Sequence, residues 1–364
     1  MKKTLLVAAG GTGGHIYPAL AVAKKWQEEG GDVEWLGTKL GLEAKIIPEH
    51  KIKLNFINVR AIRGKKILSK LLSPFMLISA LIQAIIILLK IKPKVVLGMG
   101  GYASGPGALA AWLLRIPLVI HEQNSVVGKT NKILLPFAKK ILQAFPGTIA
   151  TKHTKKSVIT CGNPLRKELS LLSPKIRSAD NAELNILILG GSRGALKLNK
   201  LLPKLFADKQ FQDAENLKLN IKHQSGEANY LAAKNAYEAY HVNNAEILPY
   251  INNMQEAYEW ADIVIARSGA MTVFEIMAVG RPCIFVPYPY AVDDHQTVNA
   301  EYLVDQSAAY ILQESELSVE NLLPIIQTLY TNFESYNRMS SQVYSLRSLG
   351  ADEKIASYCR STAK

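Results

Sequence analysis

The chain has 364 residues, 48% apolar and 20% charged, enough length and apolar content for two packed domains. Its net charge of +13 suits an anionic partner or simply serves solubility, and no recognition-helix, zinc-finger or RNP-like pattern accompanies it, so nucleic acid is not expected. Three widely spaced cysteines, Cys161, Cys283 and Cys359, argue against a disulfide framework or a cysteine metal cluster and suit a reducing compartment.

The N-terminal apolar run is too short for the core of a signal peptide, so no secretory signal is expected. Leu5–Ala9 reads as a buried strand that ends in Gly10-Gly11-Thr12-Gly13-Gly14-His15, followed by a helix over Ile16–Glu29. Such a turn brings backbone N–H groups and a helix N-terminus close to an anion. Strands are predicted next at Val33–Gly37 and Leu54–Val59.

An apolar stretch, Leu71 to Leu89, then reads as a crossover helix interrupted by Ser73, Pro74, Ser79 and Gln83, with a central part only about four turns long. That is short for a membrane span, which needs about 20 apolar residues. Lys65, Lys66 and Lys70 precede it and Lys90, Lys92 and Lys94 follow, so one face is expected on the sheet and the other in an anionic membrane surface. A wholly buried helix and a full membrane span are the alternatives.

Val95–Gly98 is the next strand, leading into a second glycine-rich loop over 98–107 and a helix at Ala108–Leu114. Strands at Leu118–Ile120 and Lys140–Ala144 follow. The pattern breaks after Val158-Ile159-Thr160 at the turn Gly162-Asn163-Pro164-Leu165-Arg166. Alternation resumes with Asn185–Leu189 entering Gly190-Gly191-Ser192-Arg193-Gly194-Ala195, then strands at Leu219–His223, Glu246–Leu248, Ile263–Ala266, Pro282–Pro287 and Ala309–Ile311. Helices are predicted at Ala270–Val279 and Gln296–Gln306. Two α/β halves of Rossmann type, each a parallel sheet covered on both faces, are therefore expected to face one cleft.

The glycine turns are not those of an NAD enzyme, because the second strand ends Trp35-Leu36-Gly37-Thr38 without the ribose-binding carboxylate. Neither loop carries the Gly-Lys-Ser/Thr of a P-loop. Glu275, in the first turns of the helix after Arg267-Ser268-Gly269, is instead placed to accept from two vicinal ribose hydroxyls, or simply lies favourably near a helix N-terminus. His15 opens a helix, where the imidazolium is disfavoured and a neutral general base is available. Asp293-Asp294-His295 are adjacent in one loop and not spaced to converge on a metal, so none is expected.

Gly10 to Ala21, Gly98 to Pro106, His121-Glu122-Gln123-Asn124, Gly162 to Arg166, Gly190 to Ala195 and Arg267 to Thr272 together resemble, in order and over almost the whole chain, the MurG family of bacterial peptidoglycan N-acetylglucosaminyltransferases. The resemblance implies a GT-B fold with an acceptor and membrane-facing domain at 1–163 and a UDP-GlcNAc-binding domain at 164–340. The helical tail 341–364 would pack back on the first domain. It implies metal-independent, inverting transfer of GlcNAc from UDP-GlcNAc to the C4 hydroxyl of muramyl-pentapeptide pyrophosphoryl-undecaprenol, lipid I becoming lipid II, with no cofactor. The enzyme would sit peripherally on the cytoplasmic face of the inner membrane.

Carried onto this chain, Ile251 would meet the uracil through its backbone and Glu275 the ribose, with Ser192 and Arg166 near the diphosphate. Gln296, Asn299 and the Ala270 backbone would read the sugar, with Met271, Thr272, Val273 and Phe274 along the same helix start. Thr12, Gly13, Gly14 and Asn124 would complete the substrate pocket, and Tyr102 and Glu122 the acceptor side. His15 would be the base, or Glu122 by relay. Arg193 departs from the glutamine frequent in the family, and the loop Pro287–His295 varies, which makes sugar contacts less secure than nucleotide contacts. A UDP-GlcNAc 2-epimerase, a transferase acting on a diacylglycerol lipid and a non-catalytic nucleotide-sugar binder stay open as alternatives.

Overall fold

The computed structural model describes residues 3–59, 73–150, 152–180, 183–190, 195–213 and 217–363. They form two compact units, Met1–Leu165 with Leu349–Lys364, and Arg166–Ser348.

The first unit alternates β1 (Thr4–Ala8), α1 (Gly13–Glu28), β2 (Asp32–Gly37), α2 (Glu43–Glu49), β3 (Lys53–Phe56), α3 (Ser73–Ile91), β4 (Val95–Gly98), α4 (Ser104–Leu113), β5 (Leu118–Glu122), α5 (Lys129–Leu134), β6 (Lys140–Gln143) and β7 (Val158–Thr160). Its seven-stranded sheet has the order β3-β2-β1-β4-β5-β6-β7, and every pairing is parallel. Both faces are covered, which is why Leu5, Leu6, Val7 and Ala8 are all buried and the strand is written as an unbroken apolar run. Residues 158–160, which mark only a break in the sequence pattern, add the edge strand.

One face of this sheet packs Leu5, Val7, Trp26 and Trp35 with Ile355 and Cys359. The last two come from the C-terminal helix Ala351–Thr362, which returns to the first unit. Lys25 meets Glu353 at 2.6 Å, and Arg360 pairs with Glu29 and lies over the Trp26 ring, so the returning helix is clamped to α1 along its length.

The opposite face packs Leu6, Ala8 and Leu36 against Ala80, Ala84 and Leu88 of α3. Their i, i+4, i+8 spacing makes a narrow stripe that lets α3 lie close to its neighbours. Here the structure corrects the sequence expectation of a short, interrupted segment. The helix runs unbroken for 19 residues. Pro74 lies in the first turn, where a missing N–H costs nothing. Ser79 and Gln83 satisfy each other at 3.0 Å, and Gln83 Oε1 also accepts the Asn58 N–H at 2.9 Å. By length and composition Pro74–Ile91 could cross a membrane, but the buried stripe makes it the β3–β4 crossover of the sheet. Its other side leaves Phe75, Ile78, Ile82, Ile86 and Leu89 exposed. Lys90 in its last turn, and Lys92 and Lys94 just beyond, lie on the surface, whereas Lys65, Lys66 and Lys70 lie outside the described residues.

The second unit repeats the plan with β8 (Leu184–Leu189), α6 (Leu196–Phe206), β9 (Leu219–Gln224), α7 (Tyr230–Ala239), β10 (Ala245–Leu248), α8 (Met254–Trp260), β11 (Ile263–Ala266), α9 (Ala270–Val279), β12 (Cys283–Phe285), α10 (His295–Val304) and β13 (Tyr310–Ile311). Its sheet order is β10-β9-β8-β11-β12-β13, again all parallel. Buried Asp262, just before β11, takes Arg177 at 3.0 Å, Lys175 at 2.9 Å and the Asn185 N–H at 2.7 Å. That one carboxylate ties β11 to β8.

Candidate functional site

In both sheets the strand order reverses beside the opening strand, between β1 and β4 and between β8 and β11. Loops leaving the C-terminal ends of two such strands run off in opposite directions and leave a crevice, the usual ligand site of open parallel sheets. Each unit therefore carries one candidate half-site.

In the first unit the loop after β4 lies on the loop after β1. Gly101 has φ +82, and a Cβ there would stand 2.0 Å from the Gly10 carbonyl oxygen, so the two chains meet backbone to backbone. A Cβ on Gly100 would come within 2.9 Å of His15 Cδ2 and 3.0 Å of Nε2, and one on Gly11 would touch the Tyr102 ring. Thr12, His15 and Tyr102 are thereby gathered at one crevice. Thr12 holds extended backbone before α1, and its carbonyl accepts the His15 and Ile16 N–H groups. The N–H groups of Gly13 and Gly14 precede those bonds, as an anion-binding helix start requires. The His15 Nδ1 lies 3.2 Å from the Thr12 hydroxyl.

Glu43 braces this loop from beneath, a role that its sequence context does not suggest. Fully buried at the start of α2, it accepts the Gly11 N–H at 3.0 Å on Oε2 and the Thr38 N–H and hydroxyl, each at 2.8 Å, on Oε1. Gly10, Gly37 and Gly41 make room for it; a Cβ on any of them would lie within 2.1–2.7 Å of its side chain. Each donor left without that carboxylate would cost about 1–3 kcal/mol. The only sequence trace is the cluster of glycines around it.

Glu122 is 2% exposed and fully engaged. Oε1 accepts from the Asn124 N–H at 3.1 Å and amide at 3.2 Å; Oε2 accepts from the Gly128 N–H and the Asn131 amide, both at 2.9 Å. The carboxylate thus shapes the loop that carries Asn124, and it is not presented to a substrate hydroxyl. His121 serves the same loop. Its Nε2 lies 2.9 Å from the Gly162 carbonyl, which can only accept, so Nε2 carries the proton, and Nδ1 accepts from the Gln123 amide. Burial pushes its pKa down to about 4, which keeps it neutral.

In the second unit Ser192 and its neighbours 191–194 lie outside the described residues. The β11 exit, Arg267-Ser268-Gly269, opens α9 with Gly269 as an extended cap. Ala270, Met271 and Thr272 supply the first-turn N–H groups, whereas the Val273 N–H already bonds the Gly269 carbonyl. Val273 and Phe274 are buried, so their side chains serve the core. One turn on, Glu275 is half-buried and accepts the Tyr258 hydroxyl at 2.9 Å on Oε2. Burial raises its pKa above the ordinary carboxylate value, offset in part by exposed Arg166 nearby and by the Tyr258 hydrogen bond.

Asn299 is buried and fastens the β11 exit by donating to the Ser268 carbonyl at 3.1 Å. Gln296 Oε1 accepts the Tyr288 N–H at 3.0 Å, tying the loop before α10 to its first turn. Ile251 is buried with its N–H on Gln224 Oε1 at 3.1 Å. Arg267, quoted in the motif but given no role by it, binds the Val286 and Pro287 carbonyls at 3.0 and 2.8 Å, pairs with Glu314 and lies over the Tyr288 ring. It locks the loop leading to Gln296. Asp293 and Asp294 both take left-handed backbone, His295 Nδ1 bonds the Val292 carbonyl, and Thr297 donates to Asp294. Among the described residues no three His, Cys, Asp or Glu side chains converge as a metal site.

Comparison with known proteins supplies the chemistry. Residues 5–143 match the glycosyltransferase family 28 N-terminal domain, and residues 185–355 match the glycosyltransferase family 28 C-terminal domain. A protein of Shewanella denitrificans named UDP-N-acetylglucosamine--N-acetylmuramyl-(pentapeptide) pyrophosphoryl-undecaprenol N-acetylglucosamine transferase is 43% identical, with 100% of this chain and 98% of that protein covered. One of the same name from Psychromonas ingrahamii is 44% identical, covering 98% of each. The crystal structure of Acinetobacter baumannii MurG is similar over 99% of both chains, with TM-score 0.80 and 38% identity.

Proposed function

The chain belongs to glycosyltransferase family 28, among the peptidoglycan N-acetylglucosaminyltransferases, and on that premise we propose that it transfers GlcNAc from UDP-GlcNAc to the C4 hydroxyl of lipid I with inversion, His15 acting as base. The observation that carries this reading is the pair of helix N-termini at the two switch points, one bearing His15 and the other preceding Glu275. A nucleoside diphosphate sugar needs the second, and a hydroxyl acceptor on a diphosphate needs the first.

His15 Nδ1 lies 3.2 Å from the Thr12 hydroxyl, and in the tautomer that donates to that hydroxyl Nε2, over Gly100, is the basic nitrogen. Nε2 takes the proton of the C4 hydroxyl as that oxygen bonds the anomeric carbon from the face opposite UDP. The bond from that carbon to the β-phosphate oxygen breaks, and its electron pair leaves with UDP. The guanidinium of Arg166 and the Ala270 to Thr272 N–H groups meet the growing charge on the diphosphate, so no metal is called on for that task. Glu275, oriented by Tyr258, accepts both ribose hydroxyls; Gln296 faces the sugar, and Asn299 acts by fixing Ser268.

With labelled UDP-GlcNAc and a short-chain lipid I analogue in EDTA, label moves to the lipid phase as UDP is released one for one. His15→Ala lowers kcat by about 10²–10⁴-fold with the fold intact. Near-full turnover by that variant would rule out His15 as base. Free sugar or ManNAc in place of labelled lipid would mark an epimerase, and bound but unchanged donor a non-catalytic binder.

The raised pKa of Glu275 sets a pH dependence. Only the carboxylate accepts two hydroxyls, so affinity for UDP-GlcNAc is complete above the raised pKa and lost as pH falls through it. KM for the donor rises on mild acidification, and Glu275→Gln has a high KM at every pH with that limb flattened. An unchanged acid limb in Glu275→Gln would assign the titration elsewhere.

The outer face of α3 docks the enzyme on the inner membrane from the cytoplasmic side. Burying each of its five exposed side chains is worth about 1.5–3 kcal/mol. A lysine near an anionic surface adds about 1 kcal/mol, so apolar insertion dominates and Lys90, Lys92 and Lys94 orient it. Ile78→Gln, Ile82→Gln and Ile86→Gln combined abolish binding to anionic vesicles and transfer to vesicle-borne lipid I while sparing a soluble acceptor. Equal losses on both acceptors would make that face structural.

A further inference from the structure

A groove of about 330 Å³ opens beside the first half-site. Thr38, Lys39 and Leu40 line it where the chain leaves β2, Ile57, Asn58 and Val59 where it leaves β3, and Met76 at the start of α3. We propose that this groove takes the isoprene units next to the diphosphate of the acceptor, as a dedicated subsite for a polyprenyl chain. The proposal rests on the transferase reading above and adds a subsite to it.

Two contacts place the groove between the reacting end of the acceptor and the apolar face. At its inner end Thr38 is bound by both N–H and hydroxyl to Glu43, whose other oxygen holds Gly11 of the anion-binding loop. β2 and β1 are paired neighbours, so Thr38 leaves the sheet about 5 Å from the strand that feeds that loop. At its outer end Met76 lies on the helix between Phe75, 72% exposed, and Leu77, 40% exposed, each about 100° around from it, and Phe75 leads on to the outer apolar face. The wall between them is kept in place by Gln83 of α3, which accepts the Asn58 N–H.

The lining is mostly apolar away from the anion-binding loop. Thr38 is tied to that loop through Glu43, while Leu40, Ile57, Val59 and Met76 are hydrocarbon or thioether, and Asn58 between them is held through its N–H by Gln83. Leu40 is 79% exposed, an aliphatic side chain with almost no protein cover at the groove's rim. Among the described residues that line it, four of seven are apolar, and a pocket of about 300–1,000 Å³ with a mainly apolar lining suits a branched hydrocarbon. A diphosphate on the Gly13–Gly14 helix start and a chain running past Lys39 and over Leu40 to α3 makes one continuous amphiphile. The groove then selects the lipid by its first units, before the membrane supplies the rest.

The test uses the full chain without vesicles and two soluble acceptors with the same muramyl-pentapeptide diphosphate head. One bears a short isoprenyl chain and the other a methyl group. The unsubstituted protein favours the isoprenyl acceptor in kcat/KM. Leu40→Asp, at an exposed position where folding is not at stake, lowers the isoprenyl-to-methyl ratio about tenfold, as does Met76→Gln. KM for UDP-GlcNAc reads donor binding separately. A ratio that both variants retain, with transfer intact, overturns the groove and leaves the transferase reading standing. No transfer to either acceptor by the unsubstituted protein overturns both.

Discussion

The first half-site depends on one contact, the backbone of Gly101 seated against the carbonyl of Gly10. Both strands that feed it are parallel, adjacent and buried, so their exits leave the sheet side by side at the switch point. With no side chain between the loops, the Gly100 backbone comes under the His15 ring and Tyr102 reaches the Gly11 turn. Glu43 closes the assembly from the other side, tying the same turn to the exit of β2. Loop positions that would otherwise be soft are thus set by backbone contacts and a buried carboxylate, the kind of preorganisation that a base and an anion site require.

The second half-site is made rigid by different means. Its glycine turn at 269 only opens the helix, and the fixing is done by buried side chains reaching across strands. Asn299 holds Ser268, Arg267 holds the loop of Val286 and Pro287, Tyr258 holds Glu275, and Asp262 holds β11 to β8. Several of these groups come from helices that follow strands on either side of β11. The exits of β11 and β12 are therefore coupled to the core of the unit, and changes that loosen the core reach them.

The fold was legible because parallel strands covered on both faces are written as apolar runs, and glycines punctuate their ends. A two-residue alternation of apolar and polar side chains was not needed; Ile263 to Ala266 and Ile186 to Leu189 are apolar blocks bounded by turns. The helix α3 was misjudged because Ser79 and Gln83 look like interruptions, whereas in place each answers the other. The strand at 158–160 is too short to carry a pattern. Around the site, His15 and Glu275 could be singled out from local chemistry, since each stands at a helix start after a glycine turn. Glu43 and Tyr258 could not, because their partners lie 32 and 17 residues away and depend on how the strands are ordered. Along α9 and α10 the side chains of Val273, Phe274 and Asn299 are buried, so the packing they serve is set by the fold and not readable from the motif.

A single displacement driven by one base at His15 has a stereochemical consequence that no rate can imitate. The most direct measurement is the anomeric configuration of the newly transferred sugar, read by NMR of the lipid product made from UDP-α-GlcNAc labelled at the anomeric carbon. A β linkage is the result that a single displacement with His15 as base predicts. An α linkage would require retention, and with it a different path in which His15 is not the base of a direct attack.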